Sequence, residues 1–314
     1  MDSLSLLPVY REQTGPAAGC VVVRLDQPLK PVVVLDLELI QRLEATLRSV
    51  MMGGVGGSGE AGGVSGLVLA SASERVFVAG ADLKAISELD DPALHRYLEY
   101  GAKVFGMLHE MPFPTVAAIN GAALGGGLEL AMHCDAIVGG PPAMKDGAPG
   151  RPYPIGLPEA GLAICPGWGG TNLLPARIDP ADAIWRTASG ATMLFDDAVK
   201  AGFFDRVADS ADGLIATALA VLVEMRAVPL KRDGMPRRWI GRPACVVGVL
   251  KRFDSVRAEL PNTEAAAAVA RAVDAGLTRG WAAALEFERQ ELVRLRHTGP
   301  AKAALEAFFA KGKK

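Results

Sequence analysis

The sequence has few aromatic residues, histidines or cysteines, and its charges almost cancel. Aromatic residues make up 6% of the 314 residues, and there are four histidines and four cysteines. Because the histidines and cysteines are scattered without metal-ligand spacing, the sequence predicts no metal site. Scattered cysteines are also typical of proteins in a reducing compartment rather than of disulfide-stapled secreted domains.

The chain also lacks a strong net charge, a basic leader and a long apolar run. Its formal net charge is −2, which gives no reason to predict nucleic acid binding. No segment reaches the roughly 20 apolar residues that a membrane span needs, and residues 1–10 do not resemble a secretion signal. The sequence therefore predicts a cytoplasmic protein without a membrane span, with a core built mainly from Ala, Val, Leu and Gly.

Residues 114–135 are the most informative segment, because an apolar strand pattern runs into a glycine-rich helix start. Gly125, Gly126 and Gly127 precede Glu129. The first N–H groups of a helix are unpaired, and glycine leaves them open to a ligand oxygen that becomes negative. Glu129 would lie about one turn further on, on the same face. The pattern predicts either an anion-stabilising turn beside a base or simply close packing of helix on strand.

A second segment, residues 67–84, has a related pattern and favours the first interpretation. An apolar run, a polar turn and another apolar run are followed by Ala79-Gly80-Ala81-Asp82-Leu83. This pattern is typical of a strand that leaves into a tight turn of small residues, where a backbone N–H can face a ligand.

With these two segments, at residues 77–83 and 120–130, the sequence resembles the crotonase (enoyl-CoA hydratase/isomerase) superfamily. The resemblance implies an α/β fold, a β-β-α spiral core with a helical C-terminal region. It also implies that the N–H groups of Ala81 and Gly126 form an oxyanion hole for an acyl-CoA thioester. A third block, residues 156–171, matches the family segment that carries a second catalytic carboxylate, here Glu159.

The retained pair of glutamates resembles that of a 2-enoyl-CoA hydratase of fatty-acid β-oxidation. Adding water to a conjugated double bond needs one group to take a proton and another to deliver one. The resemblance assigns water activation to Glu129 and protonation of the α-carbon to Glu159. Neighbouring carboxylates raise each other's proton affinity, so one ionised and one protonated is the expected resting state.

Two alternatives stay open at this stage. An enoyl-CoA isomerase, or another crotonase-type acyl-CoA reaction, would need only one of the carboxylates. A non-catalytic acyl-CoA-binding subunit would keep the oxyanion hole without turnover.

The resemblance also implies a set of substrate-binding residues and no separate cofactor, because coenzyme A is part of the substrate. Lys30 matches a lysine near the CoA site in relatives. The other members of the set belong to the three matching blocks; they are Ala79, Gly80, Asp82, Leu83, Gly125, Pro158, Gly167 and Trp168.

We predict two regions: a spiral core at 1–208 and a helical region at 209–314. Residues 270–281 and 286–309 resemble the connector of multifunctional fatty-acid oxidation α-subunits, in which a dehydrogenase domain follows. The chain therefore resembles the hydratase part of such a protein, either alone or cut from a longer parent, and a dehydrogenase or thiolase partner is expected. Family members form trimers or dimers of trimers through this region, which predicts a homotrimer or hexamer. Alternatively, the helices cover the chain's own site.

Some further elements follow from local patterns. Residues 19–25 and 31–35 predict strands, and 36–51 predict an amphipathic helix. The glycine-rich segment 53–63 matches the dinucleotide-binding fingerprint in form, but it follows a helix and precedes a strand, so it predicts a loop.

The insert at 139–154 is a departure from the family pattern. Glu129 and Glu159 are 30 positions apart, whereas common hydratases have nearer 20. The extra residues are rich in Pro and Gly. They predict a loop that either remodels the acyl pocket or lies on the surface.

Overall fold

The computed structural model describes residues 5–54, 63–145 and 147–311. Residues 55–62, the centre of the predicted glycine-rich loop, lie outside these ranges. The strands are β1 (Val9–Arg11), β2 (Cys20–Leu25), β3 (Gly66–Ser71), β4 (Val76–Val78), β5 (Thr115–Ile119), β6 (Ala122–Leu124), β7 (Ala136–Gly139), β8 (Met144–Lys145), β9 (Ala148–Pro149), β10 (Pro154–Gly156), β11 (Met193–Leu194) and β12 (Arg206–Val207).

The helices dominate the second half of the chain. They are α1 (Leu37–Met51), α2 (Leu83–Glu88), α3 (Asp91–Glu110), α4 (Gly126–Met132), α5 (Gly170–Leu173), α6 (Pro180–Ser189), α7 (Phe195–Lys200), α8 (Leu214–Arg226), α9 (Pro243–Val256), α10 (Glu264–Arg279), α11 (Trp281–Leu295) and α12 (Gly299–Lys311). None of the helices in the described ranges is long and apolar enough to cross a membrane.

The larger sheet has apolar layers on both of its faces. Its strand order is β1-β2-β3-β5-β7-β12, with β1 antiparallel and the others parallel. Successive side chains of a strand point to opposite faces, so Val21 and Val23 join the main core whereas Cys20 and Val22 pack in the layer beneath α8. Parallel strands buried on both faces explain the nearly continuous apolar runs in this part of the sequence.

The smaller sheet positions the candidate site. Its order is β11-β10-β6-β4, and β4, β6 and β10 are mutually parallel neighbours. Their carboxyl ends therefore meet at one edge, which is where open α/β sheets place ligands. The segments that leave this edge are 79–82, 125–126 and 157–159, which contain most of the residues predicted to act.

The predicted helix at 36–51 is confirmed, and its start has a clear cause. The Asp36 side chain accepts a hydrogen bond from the Leu39 N–H at 2.7 Å, which caps the first turn.

The predicted strand at 31–35 is wrong. This segment makes only an isolated bridge, between Leu35 and Ala81. Leu35 N–H donates to the Gly80 carbonyl at 2.9 Å. Its neighbour is thus a turn rather than a strand, and no ladder can extend along it. The glycine-rich helix start also differs from expectation, because the extra strand β6 separates it from β5.

The helical region does not pack as one separate layer. Helix α8 covers the larger sheet, with Leu214, Ala218 and Leu222 in the apolar layer there. Helices α11 and α12 lie against the opposite side of the core, where both reach the candidate site. The division at residue 208 stays a prediction.

Candidate active site

A cavity of about 390 Å³ opens at the shared edge of β4, β6 and β10. The cavity contains Ala81, Gly126, Glu129 and Glu159 in its wall. Eight further predicted residues line it as well: Ala79, Gly80, Asp82, Leu83, Gly125, Pro158, Gly167 and Trp168. Three segments far apart in sequence therefore converge on one space.

Lys30 is the predicted site residue that the structure does not bring to the cavity wall. Its Nζ lies 2.5 Å from the Asp36 carboxylate, on the surface. Lys84 does line the cavity, with its side chain largely exposed.

Two backbone N–H groups at the cavity are free to bind a ligand. Within the described residues, neither the Ala81 N–H nor the Gly126 N–H donates to any protein acceptor. Gly126 is the first residue of α4, where an N–H group has no partner within its own helix. The arrangement can therefore bind an oxygen that gains negative charge.

Glycine is required at 125 and 126 for steric reasons. A Cβ at Gly126 would lie 2.3 Å from Cζ3 of Trp168, whose ring packs directly on this backbone. Gly125 has a φ of 51°, and a Cβ there would lie 2.7 Å from Glu159 Oε1. The glycines therefore allow close packing, as one interpretation of the sequence predicted. The Gly126 N–H is nevertheless free, so the other interpretation, an anion-stabilising turn, also holds.

Glu129 is a buried carboxylate held by backbone donors. Its Oε1 accepts hydrogen bonds from Trp168 N–H and Gly170 N–H, both at 2.8 Å. The residue is 1% exposed. Burial raises the pKa of Glu129 to about 7, and these N–H groups limit the rise by stabilising the ionised form.

Glu159 has a poorer environment for a negative charge. Its Oε2 is buried and has no hydrogen-bond partner within the described residues. Burial raises the pKa of Glu159 well above its ordinary value, and the neighbouring charge of Glu129 raises it further. The pair therefore holds its first proton on Glu159, while Glu129 is the member that ionises first.

A third buried carboxylate, Glu288 of α11, was missed from the sequence. It accepts hydrogen bonds from Gly169 N–H at 2.5 Å and Thr171 N–H at 2.9 Å, and from the Thr171 hydroxyl. It is completely buried, and burial, followed by the charge of Glu129, raises the pKa of Glu288 to about 8.

The spacing along α11 contained a signal for this residue. Glu288 falls on the buried stripe of the helix, whose other members are Trp281, Ala284, Leu292 and Leu295. A carboxylate on an apolar helical stripe is unusual, because ionised groups are seldom fully buried.

Trp168 is fixed on three sides. Its indole N–H donates to the Leu98 carbonyl at 2.8 Å, and its ring packs against Phe105 with centroids 5.1 Å apart. Its carbonyl lies 2.9 Å from Nε2 of His133. A carbonyl can only accept, so Nε2 carries the proton, and Nδ1 lies 3.2 Å from Nδ1 of His109. Burial lowers the pKa of His133 to about 4, so this ring is neutral.

The predicted insert at 139–154 lies away from the cavity. Its described residues include the short β8-β9 hairpin, where Met144 is 66% exposed, and none of them is in the cavity wall. Tyr153 anchors the end of the insert through its hydroxyl, which donates to the Gly140 carbonyl at 2.6 Å. The surface interpretation is the one that the geometry favours.

Comparison with known proteins assigns the family. Residues 35–232 match enoyl-CoA hydratase/isomerase. The chain belongs to the enoyl-CoA hydratase/isomerase family. The matched range includes both candidate glutamates and both free N–H groups, so the resemblance inferred from the sequence is confirmed.

Curated relatives of this enoyl-CoA hydratase/isomerase family member include two named fatty acid oxidation complex subunit alpha. The protein from Aliivibrio fischeri is 32% identical over 249 residues, and the one from Vibrio cholerae is 32% identical over 257 residues. These alignments cover 78% and 79% of this chain but 35% of each relative. The chain thus spans about a third of the length of these relatives.

Solved structures of the family share the fold. Human mitochondrial delta3-delta2-enoyl-CoA isomerase has a TM-score of 0.66, at 21% identity and 98% coverage of both chains. Enoyl-CoA hydratase from Bacillus anthracis has a TM-score of 0.56, at 24% identity and 93% coverage of both. The predicted crotonase-like fold with a helical C-terminal region is confirmed.

Proposed function

We propose that this chain is a 2-enoyl-CoA hydratase that adds water across the double bond of a trans-2-enoyl-CoA thioester. One observation carries the proposal: two glutamates in one cavity have environments that favour opposite protonation states, beside two unoccupied N–H donors. Such a pair supplies a base and an acid together, which is what hydration needs.

The thioester oxygen would lie between the N–H groups of Ala81 and Gly126. As water attacks the β-carbon, charge moves onto this oxygen, and each donor stabilises it more strongly than in the ground state. Losing one such donor typically costs about 3 kcal/mol of barrier. No further group is needed to accept this charge.

Glu129 and Glu159 would divide the proton transfers. Glu129, ionised first and held by two N–H groups, takes a proton from the attacking water. Glu159, which holds its proton more tightly, delivers it to the α-carbon. The product is a 3-hydroxyacyl-CoA, and the two carboxyl groups have exchanged protonation states, so the proton on Glu129 must leave and one must return to Glu159 before the next cycle.

The relatives support the metabolic context. Because they are named as fatty acid oxidation complex α-subunits, we propose that the substrate is a fatty enoyl thioester and that the partner is a dehydrogenase or a thiolase. A dehydrogenase would oxidise the 3-hydroxy product directly, whereas a thiolase would act only after that oxidation. The cytoplasmic location and the homotrimer or hexamer stay predictions.

The direct test is the loss of 2-enoyl thioester absorbance with crotonyl-CoA and longer 2-enoyl-CoAs. Glu129→Gln and Glu159→Gln are each expected to lower kcat by about 10²–10⁴-fold. Glu286→Gln, an exposed change on α11, serves as a matched control and is expected to retain the wild-type rate.

The contrary results are distinct. Turnover of a 3-enoyl-CoA without hydration, with strongly unequal effects of the two substitutions, would identify an isomerase instead. Binding of CoA esters without consumption of either substrate would identify a non-catalytic binder.

A further inference from the structure

Two carboxylates share the N–H groups of residues 168–171 in alternation. Glu129 accepts from Trp168 and Gly170, whereas Glu288 accepts from Gly169 and Thr171. Glu129 belongs to the catalytic pair of the proposed function, but Glu288 does not line the cavity. Glu288 thus holds the backbone that holds Glu129.

The local backbone explains the alternation. Gly169 adopts the left-handed conformation, with φ 100° and ψ 3°, just before α5 begins. A left-handed residue redirects the chain, so that successive N–H groups face different sides. A Cβ at Gly169 would lie 2.3 Å from Cη2 of Trp281. Helix α11 therefore presses on the segment at Gly169 and binds it through Glu288, two turns further along the same helical face.

The contact is costly if its only role is to dock α11. Glu288 is buried without an ion pair to any Lys, Arg or His in the described part of the chain. Burying a carboxylate without a cation is unfavourable, and packed apolar side chains often join helices at least as well. Three converging donors offset part of this cost and keep the pKa of Glu288 from rising above about 8, and all three belong to the segment next to Glu129.

We propose that Glu288 is a positioning residue for Glu129, which acts by fixing residues 168–171 so that the Trp168 and Gly170 N–H groups stay aimed at the Glu129 carboxylate. This inference rests on the proposed function in one respect, the catalytic role of Glu129. The geometric part, control of the 168–171 segment by a helix of the C-terminal region, stands independently.

Glu288→Gln is the primary test, with Glu286→Gln on the same helix as the matched control. A glutamine has one carbonyl oxygen, so it cannot accept from both Gly169 and Thr171 N–H groups in the present geometry. We expect kcat to fall about 10- to 100-fold, because small misplacements of a catalytic group have effects of this size. KM is expected to change by less than about threefold, since the loss is confined to the transition state.

A second pair of variants tests the same contact from the other side. Thr171→Val removes the hydroxyl that donates to Glu288 but keeps the backbone N–H. Thr171→Ser keeps both donors. We expect a smaller loss of kcat in Thr171→Val than in Glu288→Gln, and a rate near that of the wild type in Thr171→Ser.

Amide hydrogen exchange gives a readout that needs no substrate. The Trp168 and Gly170 N–H groups bind Glu129, not Glu288, so faster exchange there in Glu288→Gln reports the indirect effect. We expect at least about tenfold faster exchange at these two amides, with the interior of α11 unchanged. Faster exchange throughout 281–295 with no selective effect at 168 and 170 would instead identify a docking residue and overturn the inference.

A double-mutant cycle measured by steady-state kinetics completes the test. If Glu288 acts through Glu129, adding Glu288→Gln to Glu129→Gln should cause little further loss of the residual rate. An equal loss in both backgrounds, or an unchanged kcat in Glu288→Gln, would refute the positioning role while leaving hydration by the wild type intact. If the wild type hydrates no 2-enoyl-CoA, the proposed function fails, and the exchange result still decides whether Glu288 controls the segment.

Discussion

Two walls of the cavity each carry a glutamate, Glu129 on one and Glu159 on the other. They differ in the hydrogen-bond donors that they offer to a negative charge. On one wall, two N–H groups from residues 168 and 170 bind a single Glu129 oxygen. On the other, Glu159 Oε2 is buried with no partner in the described residues. Burial raises the pKa of both carboxyl groups, so the difference between them comes from the N–H donors of Glu129 and from the charge that Glu129 places beside Glu159.

The largest expected effect in this comparison comes from Gly125→Ala, at the glycine that caps α4 and contacts Glu159. The new Cβ would meet Glu159 Oε1 at 2.7 Å, at a φ of 51° that alanine rarely adopts. We expect kcat to fall about 100-fold, because Glu159 must move. Steady-state kinetics and thermal unfolding measured together separate this effect from a loss of folded protein.

Gly202→Ala is the matched control for backbone strain. Gly202 has a φ of 72°, and a Cβ there would meet nothing within 4 Å. This variant should lose about 1 kcal/mol of stability and no kcat. If Gly125→Ala behaves in the same way, Glu159 does not depend on its position against the glycine turn.

The pH dependence of kcat/KM sharpens the comparison. Glu129 must be ionised to act as a base, so activity should fall about tenfold per pH unit below a pH near its pKa of about 7. Glu159 must be protonated, so activity should fall again at higher pH, where it ionises. A profile of crotonyl-CoA hydration from pH 5 to 10 checks both limbs. A flat profile between pH 5 and 7 would contradict the assignment of Glu129.

The smallest expected effect is on stability. The pKa of Glu159 is higher in the folded chain than its ordinary value of 4.5, so above this pH the unfolded chain binds fewer protons than the folded one. Stability conferred by the protonated form is therefore lost as pH rises, by at most about 1.4 kcal/mol per pH unit, until Glu159 ionises in the fold. In Glu159→Gln the share of this loss that belongs to Glu159 should disappear, so the fall in stability between pH 5 and pH 8, measured by urea unfolding, should be smaller than in the wild type. Glu129 and Glu288, whose pKa values are also raised, account for the remainder.

Glu224→Gln should change the pH dependence of stability in the opposite direction. Glu224 is exposed and paired with Arg206, which holds its pKa below the ordinary value. Its stabilising effect is present above the ordinary pKa of 4.5 and is lost as pH falls through the lowered one, so urea unfolding below pH 4.5 measures it. If Glu159→Gln and Glu224→Gln changed the pH dependence of the free energy of unfolding in the same direction, the pKa of Glu159 would not be raised in the folded chain.

The sequence predicted those parts of the site whose chemistry is local. Glu129 follows a glycine-rich helix start, and Ala81 lies in a small-residue turn, so each has a recognisable neighbourhood along the chain. Glu288 could not be found in this way, because its partners Gly169 and Thr171 are 119 and 117 positions away. Only its place on the buried stripe of α11 marked it as unusual.

The strand predicted at 31–35 was wrong because a strand depends on a partner segment as well as on its own residues. Its β-branched run fits an extended chain, but residues 31 and 32 form a bend, and a strand also needs a neighbour with the same direction and length. Its neighbour is the turn at 79–81, which depends on the fold of another segment. Local propensity therefore does not predict which segment will pair with this one.

The contact between Glu288 and Gly169 also orders events during synthesis. Residues 79–171 emerge from the ribosome well before α11, and until α11 docks, the N–H groups of Gly169 and Thr171 lack their carboxylate acceptor. Contacts between residues this far apart in sequence form late, because a long loop must close first. We therefore expect the candidate site to mature after the sheets, so that acquisition of activity follows the docking of α11 rather than the formation of the sheets.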